Sequence, residues 1–267
     1  MKKLLRISIG ILICGLVVLT GMWIWFVGVP AIASPVGRGP LSGPWQHRWQ
    51  PAFEGVDYMR AEFRLPRPMI VHVARVDLTN PDIEFLITPQ VGRSDSTLPS
   101  RRTTTFLKEY GCQVGINAGL FGPKVYTENS PVQAMGLTAS MGTVYAEPVN
   151  NLYALTISKD KRFAIVNGHP EETPYHAAGG LLPVLRDGEN IGEHLDPDPL
   201  TLVGFNEEQT ELFLMVIDGR QYGRSEGASP YEAGELLIKL GAFNAINMDG
   251  GSSSTMAMQN TIGGATV

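Results

Sequence analysis

Cysteine is scarce in this sequence, with two in 267 residues. Cys14 lies in an apolar N-terminal run and Cys112 in the body of the chain, so the two are not expected to pair. This excludes a disulfide framework and a cysteine-based metal site. The sequence also lacks the Walker, HExxH, GxSxG and dinucleotide-binding motifs, so it offers none of the sites that those motifs build.

Basic residues are also few in the body of the chain. The whole sequence has 21 Lys plus Arg and 26 Asp plus Glu, for a net charge of −5. The charges in the first 37 residues are Lys2, Lys3 and Arg6, which leaves 18 basic and 26 acidic residues in the rest. An acidic body has no electrostatic footprint for a phosphate backbone, so no nucleic-acid partner is expected.

The N-terminal region lacks charge altogether between Arg6 and Arg38. Residues 7–26 are long enough to cross about 30 Å of hydrocarbon as one helix. Two tryptophans near the end of this stretch suit a membrane interface, and the basic residues before it favour the cytoplasmic side. The pattern predicts that residues 1–33 are a signal anchor in the cell membrane, with the body outside the cytoplasm.

Cleavage of this segment is the alternative to an anchor. The small residues of Ala31-Ile32-Ala33 resemble a cleavage site, and cutting near Ala33 would give a secreted or periplasmic protein. Both interpretations leave the body outside the cytoplasm. Residues 34–50 are rich in Gly and Pro and are predicted to be a linker, followed by one domain over 51–267.

Strand patterns outnumber helix patterns in the body, which predicts an α+β class: a single mixed-sheet domain with few helices. Alternating apolar residues predict strands over 70–78 and 83–87. Two pairs of apolar runs, within 152–166 and 202–217, predict hairpins.

Two helices are predicted. One covers 103–110 and ends at Gly111. The other begins after Ser229, which can cap it, and Glu232 stands where a capping box needs an acidic residue. An apolar stripe follows, and Gly241 ends this helix.

Three predicted strands end in glycine-rich loops that carry polar side chains, at 116–119, 216–220 and 247–252. Glycine lets the backbone approach a ligand closely and leaves amide groups to bind anions. An Asp-Gly pair after a strand is often an ordinary turn, which is the alternative for each loop. If Asp218 and Asp249 close the ends of neighbouring strands, their carboxylates are expected to converge on one pocket.

Charged side chains in these loops suggest a site for a phosphate. Arg220 can contact two phosphate oxygens at once, and a surface ion pair with Glu226 or Asp218 is the alternative. The hydroxyl groups of 252–255 could line the pocket or cap local backbone. No cofactor and no metal site are predicted, with a divalent cation between Asp218 and Asp249 as the alternative.

Two long motifs give the sequence a family likeness. Asp218-Gly-Arg-Gln-x-Gly-x-Ser-Glu-Gly227 and Ala245-x-Asn-x-Asp-Gly-Gly-x-Ser-Ser-Thr-Met256 resemble the phosphodiester glycosidase family. Upstream, 116–121 is similar to its Asn-x-Gly-Phe-Phe segment and 178–183 to its Gly-x-Pro-x-Leu segment. The likeness extends over roughly 70–258 and implies hydrolysis of a sugar-1-phosphodiester, with a phosphosugar or glycan as substrate.

The resemblance and the residue chemistry together define a set of candidate site residues. A glycosyl phosphate is cleaved through an oxocarbenium-like state, so a carboxylate must face the anomeric carbon while cations or amides hold the phosphate. Retention or inversion of configuration stays open. The candidate catalytic residues are Asp218, Asp249 and Glu226. The candidates for binding substrate or phosphate are Asn117, Gly119, Phe121, Gly180, Arg220, Ser225, Asn247, Gly250, Gly251, Ser252 and Ser253.

The sequence departs from the family pattern at two places. The family has Pro-Arg-Thr-Ala-x-Gly where this chain has Pro199-Leu-Thr-Leu-Val-Gly204, so Leu200 replaces an arginine suited to bind an anion. Family domains also continue beyond the serine loop, whereas this sequence ends at Val267. An enzyme must therefore take its cation from elsewhere. The alternative is a non-catalytic module of the cell envelope that binds phosphosugar polymers.

Overall fold

The computed structural model describes residues 48–90, 97–125, 127–260 and 265–266. Within those ranges, no helix has the length and apolar character needed to cross a membrane. The predicted anchor at 7–26, the predicted cleavage site and most of the predicted linker lie outside the described residues.

The described residues form mainly β structure with two α-helices, in agreement with the predicted α+β class. The helices are α1 (Thr103–Tyr110) and α2 (Pro230–Leu240). The strands are β1 (Gln50–Phe53), β2 (Val56–Phe63), β3 (Met69–Asp77), β4 (Thr97–Pro99), β5 (Val114–Ile116), β6 (Phe121–Gly122), β7 (Pro131–Ala134), β8 (Thr138–Ser140), β9 (Thr143–Ala146), β10 (Tyr153–Ile157), β11 (Phe163–Asn167), β12 (His176–Gly179), β13 (Pro183–Arg186), β14 (Glu189–Asn190), β15 (Leu200–Phe205), β16 (Glu211–Ile217), β17 (Asn244–Asn247), β18 (Met256–Gln259) and β19 (Ala265–Thr266).

The largest sheet has eight strands in the order β1-β2-β3-β16-β15-β17-β13-β14. Its strand pairs are all antiparallel in the described part of the chain, so the predicted mixed sheet is wrong in this respect. The reason lies in the β16–α2–β17 crossover. Such a unit usually joins two parallel neighbours, but here β15 lies between its two strands and pairs with both in antiparallel fashion.

The two faces of this sheet bury different partners. One, here called the helix face, packs on α2, with Phe213, Met215 and Leu236 fully buried between them. The other, here called the inner face, packs on a five-stranded sheet of order β11-β10-β12-β8-β9 and on the β5–β18 pair. Burying each large apolar side chain contributes about 1.5–3 kcal/mol, so the layers are held together mainly by these two cores.

The predicted helices and hairpins are confirmed. Ser229 accepts a hydrogen bond from the Glu232 amide and the Glu232 side chain accepts one from the Ser229 amide, which completes the capping box of α2. Gly111 and Gly241 end their helices at φ values of 69° and 100°, where glycine is favoured. The predicted hairpins are β10–β11 and β15–β16.

The strand predicted at 83–87 is wrong, although its apolar alternation is real. Ile83, Phe85 and Ile87 pack on the inner-face core, and the Phe85 ring meets the Phe163 ring edge-on at 5.2 Å between centroids. The backbone of this segment is bound by side chains and not by a neighbouring strand. The Ser140 hydroxyl donates to the Ile87 carbonyl at 2.7 Å. The segment therefore covers the core without joining a sheet.

Candidate functional site

The loops that follow β16 and β17 meet at one edge of the large sheet. β15 begins at this edge, and its register pairs Leu200 with Ile217 and Leu202 with Asn247. Asp218 and Asp249 therefore lie on either side of β15 rather than at the ends of neighbouring strands. Two strand spacings separate their backbones by about 10 Å.

Both aspartates belong to the inner-face side of this edge. Phe213, Met215 and Ile217 of β16 point to the helix face, so alternation places the Asp218 side chain on the opposite, inner face. Asp249 lines a cavity whose walls include Ala118 and Ala178, which pack with the inner-face core. Asp249 lines this cavity and Asp218 does not, so the convergence of the two carboxylates on one pocket stays a prediction.

Asn117 connects its own loop to β15 and to the loop after β17 through its side chain. Its Nδ2 donates to the Asp249 carbonyl at 2.7 Å, and its Oδ1 accepts from the Thr201 hydroxyl at 2.7 Å and the Thr255 amide at 2.9 Å. The Asp249 amide in turn donates to the Ala118 carbonyl at 2.9 Å. The side-chain amide of Asn117 therefore binds and positions the loop that carries Asp249.

A cavity of about 240 Å³ opens beside this junction. Its walls include three of the predicted binding residues, Asn117, Gly119 and Phe121, together with the aromatic rings of Phe106 and Tyr145. Of the described residues that line it, Asp249 is the one acidic residue and Arg101 the one basic residue.

Arg101 is a site residue that sequence reasoning missed. Its side chain is 11% exposed, and Nε and Nη2 contact the Glu109 carboxylate. The third nitrogen, Nη1, is buried without a hydrogen-bond partner. A buried guanidinium nitrogen without a partner is costly, and an anionic ligand would satisfy it. Its position two residues before predicted helix 103–110 was the available signal, because anions bind near helix N-termini.

Asp218 faces a second pair of residues that the sequence did not single out. The His72 Nε2 lies 3.6 Å from Asp218 Oδ2, and the Tyr58 hydroxyl lies 2.7 Å from His72 Nδ1. Contact with His72 lowers the pKa of the Asp218 carboxyl below its usual range, against the effect of partial burial. The alternating pattern of 70–78 places His72 on an apolar face. A polar ring on that face was the only sequence signal that His72 has a role in the site.

Arg220 is already paired in this structure, with a partner that differs from both predicted ones. Its Nε and Nη2 donate to the two oxygens of Asp198 at 2.6 and 2.8 Å. This contact raises the pKa of Arg220 further above its usual value. The side chain is 59% exposed. Asp198 occupies one edge of the guanidinium, and Nη1 has no contact with Asp198.

Ser225 and Glu226 lie apart from the cavity. Ser225 is fully buried, where its hydroxyl donates to the Asp218 carbonyl at 2.7 Å and accepts from the Ile70 amide at 2.9 Å. These bonds give Ser225 a structural role in tying the loop to β3. Glu226 accepts a hydrogen bond from the Gly223 amide at 3.3 Å, and neither residue lines the cavity.

The glycines and serines after Asp249 pack around Pro199. The Gly251 amide donates to the Pro199 carbonyl at 2.9 Å, and a Cβ on Gly250 would lie 2.9 Å from that same oxygen. Residues 251–253 form a short 3-10 helix. The Gly251 amide is thus not free for a phosphate, and Gly250, Gly251, Ser252 and Ser253 do not line the cavity.

Gly180 and Asn247 are neighbours inside the fold. A Cβ on Gly180 would lie 2.7 Å from Ile246 Cδ1 and 3.1 Å from the Asn247 carbonyl oxygen, so only glycine fits this close approach. Asn247 is 7% exposed, and its Oδ1 is buried without a hydrogen-bond partner. Neither residue lines the cavity.

Comparison with known families decides the classification. The sequence model of the phosphodiester glycosidase family matches residues 110–266, more than half of the chain. The chain belongs to this family. The resemblance seen in the sequence motifs is thereby confirmed, and the family is one of glycosidase-type hydrolases of phosphodiesters. A search of curated protein sequences gives no match.

Solved structures share the fold of this phosphodiester glycosidase. The catalytic domain of zebrafish N-acetylglucosamine-1-phosphodiester alpha-N-acetylglucosaminidase, auto-inhibited by its pro-peptide, is 17% identical with a TM-score of 0.58, over 86% of this chain and 79% of the other. A hypothetical protein from Synechocystis is 13% identical with a TM-score of 0.54, over 77% and 58%. A putative exported protein from Burkholderia pseudomallei is 13% identical with a TM-score of 0.51, over 75% and 72%.

Leu200 shows how this phosphodiester glycosidase departs from the family pattern. The side chain is 6% exposed and belongs to the helix-face core. It therefore offers no charge to the site, and Arg101 is the cation beside Asp249 instead. In the described ranges of the chain, no group of three or more His, Cys, Asp or Glu residues is arranged to hold a metal ion.

Proposed function

We propose that this chain is a membrane-anchored, extracytoplasmic hydrolase that cleaves a sugar-1-phosphodiester in the cavity beside Asp249. The observation that carries the proposal is the pairing of one carboxylate and one guanidinium in that cavity. The anomeric carbon gains positive charge in the transition state while the phosphodiester keeps its negative charge. Asp249 matches the first and Arg101 the second.

The size and walls of the cavity favour a single sugar unit with its phosphate. Its volume of about 240 Å³ is below the roughly 300–1,000 Å³ of pockets for drug-sized ligands. Phe106, Phe121 and Tyr145 offer apolar surface to the faces of a sugar ring. Exclusion of water by a bound sugar would strengthen the electrostatic contribution of both charged groups.

The backbone around Asp249 supports a catalytic role for its side chain. Its amide and carbonyl groups are both bound, to Ala118 and Asn117, so the residue is held at two points. A group that is fixed before the substrate arrives does not have to reorganise during the reaction. Asp249 is therefore assigned to the anomeric carbon, as the base or the charged stabiliser.

The proposal is tested by incubating the purified full-length chain with a panel of sugar-1-phosphodiesters and measuring free sugar. Release from at least one compound is expected. Binding to the same compounds without release would contradict hydrolysis and support the non-catalytic envelope module. Isothermal titration calorimetry on the same samples separates the two outcomes.

Lysine substitutions of Arg101 and Arg220 test which of the two residues binds the phosphate. Arg101→Lys keeps the charge but removes Nη1, and losing one hydrogen bond to a charged group costs about 1.5–3 kcal/mol, or roughly 10- to 100-fold in KM. Arg220→Lys should change KM less than Arg101→Lys does, because Arg101 lines the cavity with Asp249 and Arg220 does not. The reverse order of effects in steady-state kinetics would place the phosphate beside Arg220.

The membrane topology is predicted from the uncharged stretch 7–26 and the basic residues before it. With the body outside the cytoplasm, protease added to intact spheroplasts should digest the folded domain. A cytoplasmic marker protein must survive the same treatment. Full protection of the domain in sealed spheroplasts, with digestion after lysis, would contradict the topology.

A further inference from the structure

Three side chains on the inner face connect Asp218 to the interior of strands β2 and β3. Tyr58 of β2 and His72 of β3 are joined by a contact of 2.7 Å between the hydroxyl oxygen and Nδ1, with the rings stacked at 6.1 Å between centroids. His72 Nε2 then lies 3.6 Å from Asp218 Oδ2. The series runs from the protein interior towards the sheet edge that carries the site.

Because the Asp218 carboxylate can only accept, it favours one direction for these contacts. Burial raises the pKa of the Tyr58 hydroxyl, so it keeps its proton and can donate to His72 Nδ1. A neutral imidazole that accepts at Nδ1 carries its proton on Nε2. That proton faces Asp218 Oδ2, where a carboxylate is the suitable acceptor.

We propose that His72 and Tyr58 are positioning residues that hold Asp218 as a second carboxylate of the site. The inference rests on the proposed function and adds two residues to it. His72 acts on the carboxylate directly, and Tyr58 acts through the tautomer of His72. The distance of 3.6 Å between His72 Nε2 and Asp218 Oδ2 exceeds a hydrogen bond, and we expect it to shorten when substrate binds.

The charges around Asp218 agree with this role. Besides His72, the cations Arg60 of β2 and Arg224 lower the pKa of Asp218. Arg224 lies in residues 221–227, here called the site hairpin, where Gln221 and Ser225 pair in antiparallel fashion. The Asp218 side chain is 31% exposed and that of His72 is 24% exposed, so a substrate can reach them. A general acid needs a raised pKa, so Asp218 serves as a base or as negative charge facing the sugar.

The first experiment reads the tautomer of His72 and needs no activity. Nitrogen-15 shifts of the imidazole, measured in the full-length chain above neutral pH, should show the proton on Nε2. Tyr58→Phe removes the donor to Nδ1 and should shift His72 towards a mixture of tautomers. The exposed His169, which lies beside Glu147, should keep its signals unchanged in this variant. A proton on Nδ1 of His72 in the wild type would overturn the proposal.

The second experiment is the pH dependence of kcat/KM. Activity is lost as pH falls through the pKa of Asp218, and this pKa is lowered by His72. His72→Leu removes that effect, so the acid limb should move to higher pH and kcat should fall about tenfold, as for loss of one positioning contact. His72→Gln retains a donor near the position of Nε2. It should restore part of kcat and return the acid limb part of the way to its wild-type pH.

The matched control for this experiment is His169→Leu, at an exposed position outside the site. It should leave the profile unchanged. An acid limb that stays in place in His72→Leu, with only a uniform loss of rate or of thermal stability, would overturn the proposal in favour of a packing role. If the wild type releases no sugar, the proposed function fails, while the tautomer experiment still decides the role of His72 and Tyr58.

Discussion

Asp249→Asn should reduce turnover of a sugar-1-phosphodiester by a factor of about 100 or more, as loss of a general acid–base group does. The substitution keeps the size of the side chain and removes its charge. The bonds that hold residue 249, to Ala118 and Asn117, are made by its backbone and by the partner side chain, so they persist. The loss should therefore appear in kcat with the melting temperature unchanged.

The control for this prediction is Asp160→Asn, the same chemical change at the exposed tip of the β10–β11 hairpin. It should leave kcat unchanged. Wild-type turnover by Asp249→Asn would show that another carboxylate acts at the anomeric carbon, with Asp218 the next to test. In a binding module, the same change would strengthen affinity, because it removes repulsion between a carboxylate and a phosphate.

Local sequence signals predicted the helix ends and the loops that form the site. Ser229 and Glu232 define the start of α2 through contacts within four residues of each other, and Gly241 defines its end. The glycine-rich loops after β16 and β17 likewise follow from the apolar runs before them. These features depend on neighbours in the chain, which is why a pattern of residue types is enough to find them.

The strand between Asp218 and Asp249 could not be predicted in this way. The helix α2 connects β16 to β17, a pattern typical of adjacent parallel strands, yet β15 lies between them. β15 pairs with β16 through a short hairpin, but it pairs with β17 across the whole of β16 and α2 in the sequence. Pairing between distant strands is set by the whole core, and no local motif reports it.

The candidate site residues also differ in whether local sequence could reveal their role. Asn117 was expected to bind substrate, but its side chain holds three backbone or hydroxyl groups from other loops. Arg101 reaches the site because α1 and the cavity wall come together in three dimensions. The glycine-rich loops thus indicated the candidate site from sequence alone, whereas the partners of each polar side chain required the folded chain.

Glu232→Gln should lower the free energy of unfolding by about 3–5 kcal/mol, the usual effect of breaking a buried ion pair at one partner. Arg67 is 4% exposed, and its Nη1 donates to Glu232 Oε1 at 3.0 Å, with a second contact between Nη2 and Oε2. Glutamine keeps the size of the side chain but leaves the buried guanidinium without the charge of Glu232. The Arg67 Nε also donates to the Gly227 carbonyl at 3.0 Å, so the pair links the start of α2 to the site hairpin.

Urea unfolding of the Glu232→Gln and Glu62→Gln variants compares the loss of a buried ion pair with the loss of an exposed one. Glu62 pairs with Arg60 at the surface, where the two side chains are 55% and 42% exposed, so its substitution should change the free energy of unfolding much less. The double variant Arg67→Met with Glu232→Gln should recover part of the loss, because it removes the uncompensated charge together with its former partner. Equal, small losses in both single variants would show that the Arg67–Glu232 pair contributes no more than a surface contact. The joint between α2 and the site hairpin would then be held by the apolar packing of α2 and by the capping bonds of Ser229.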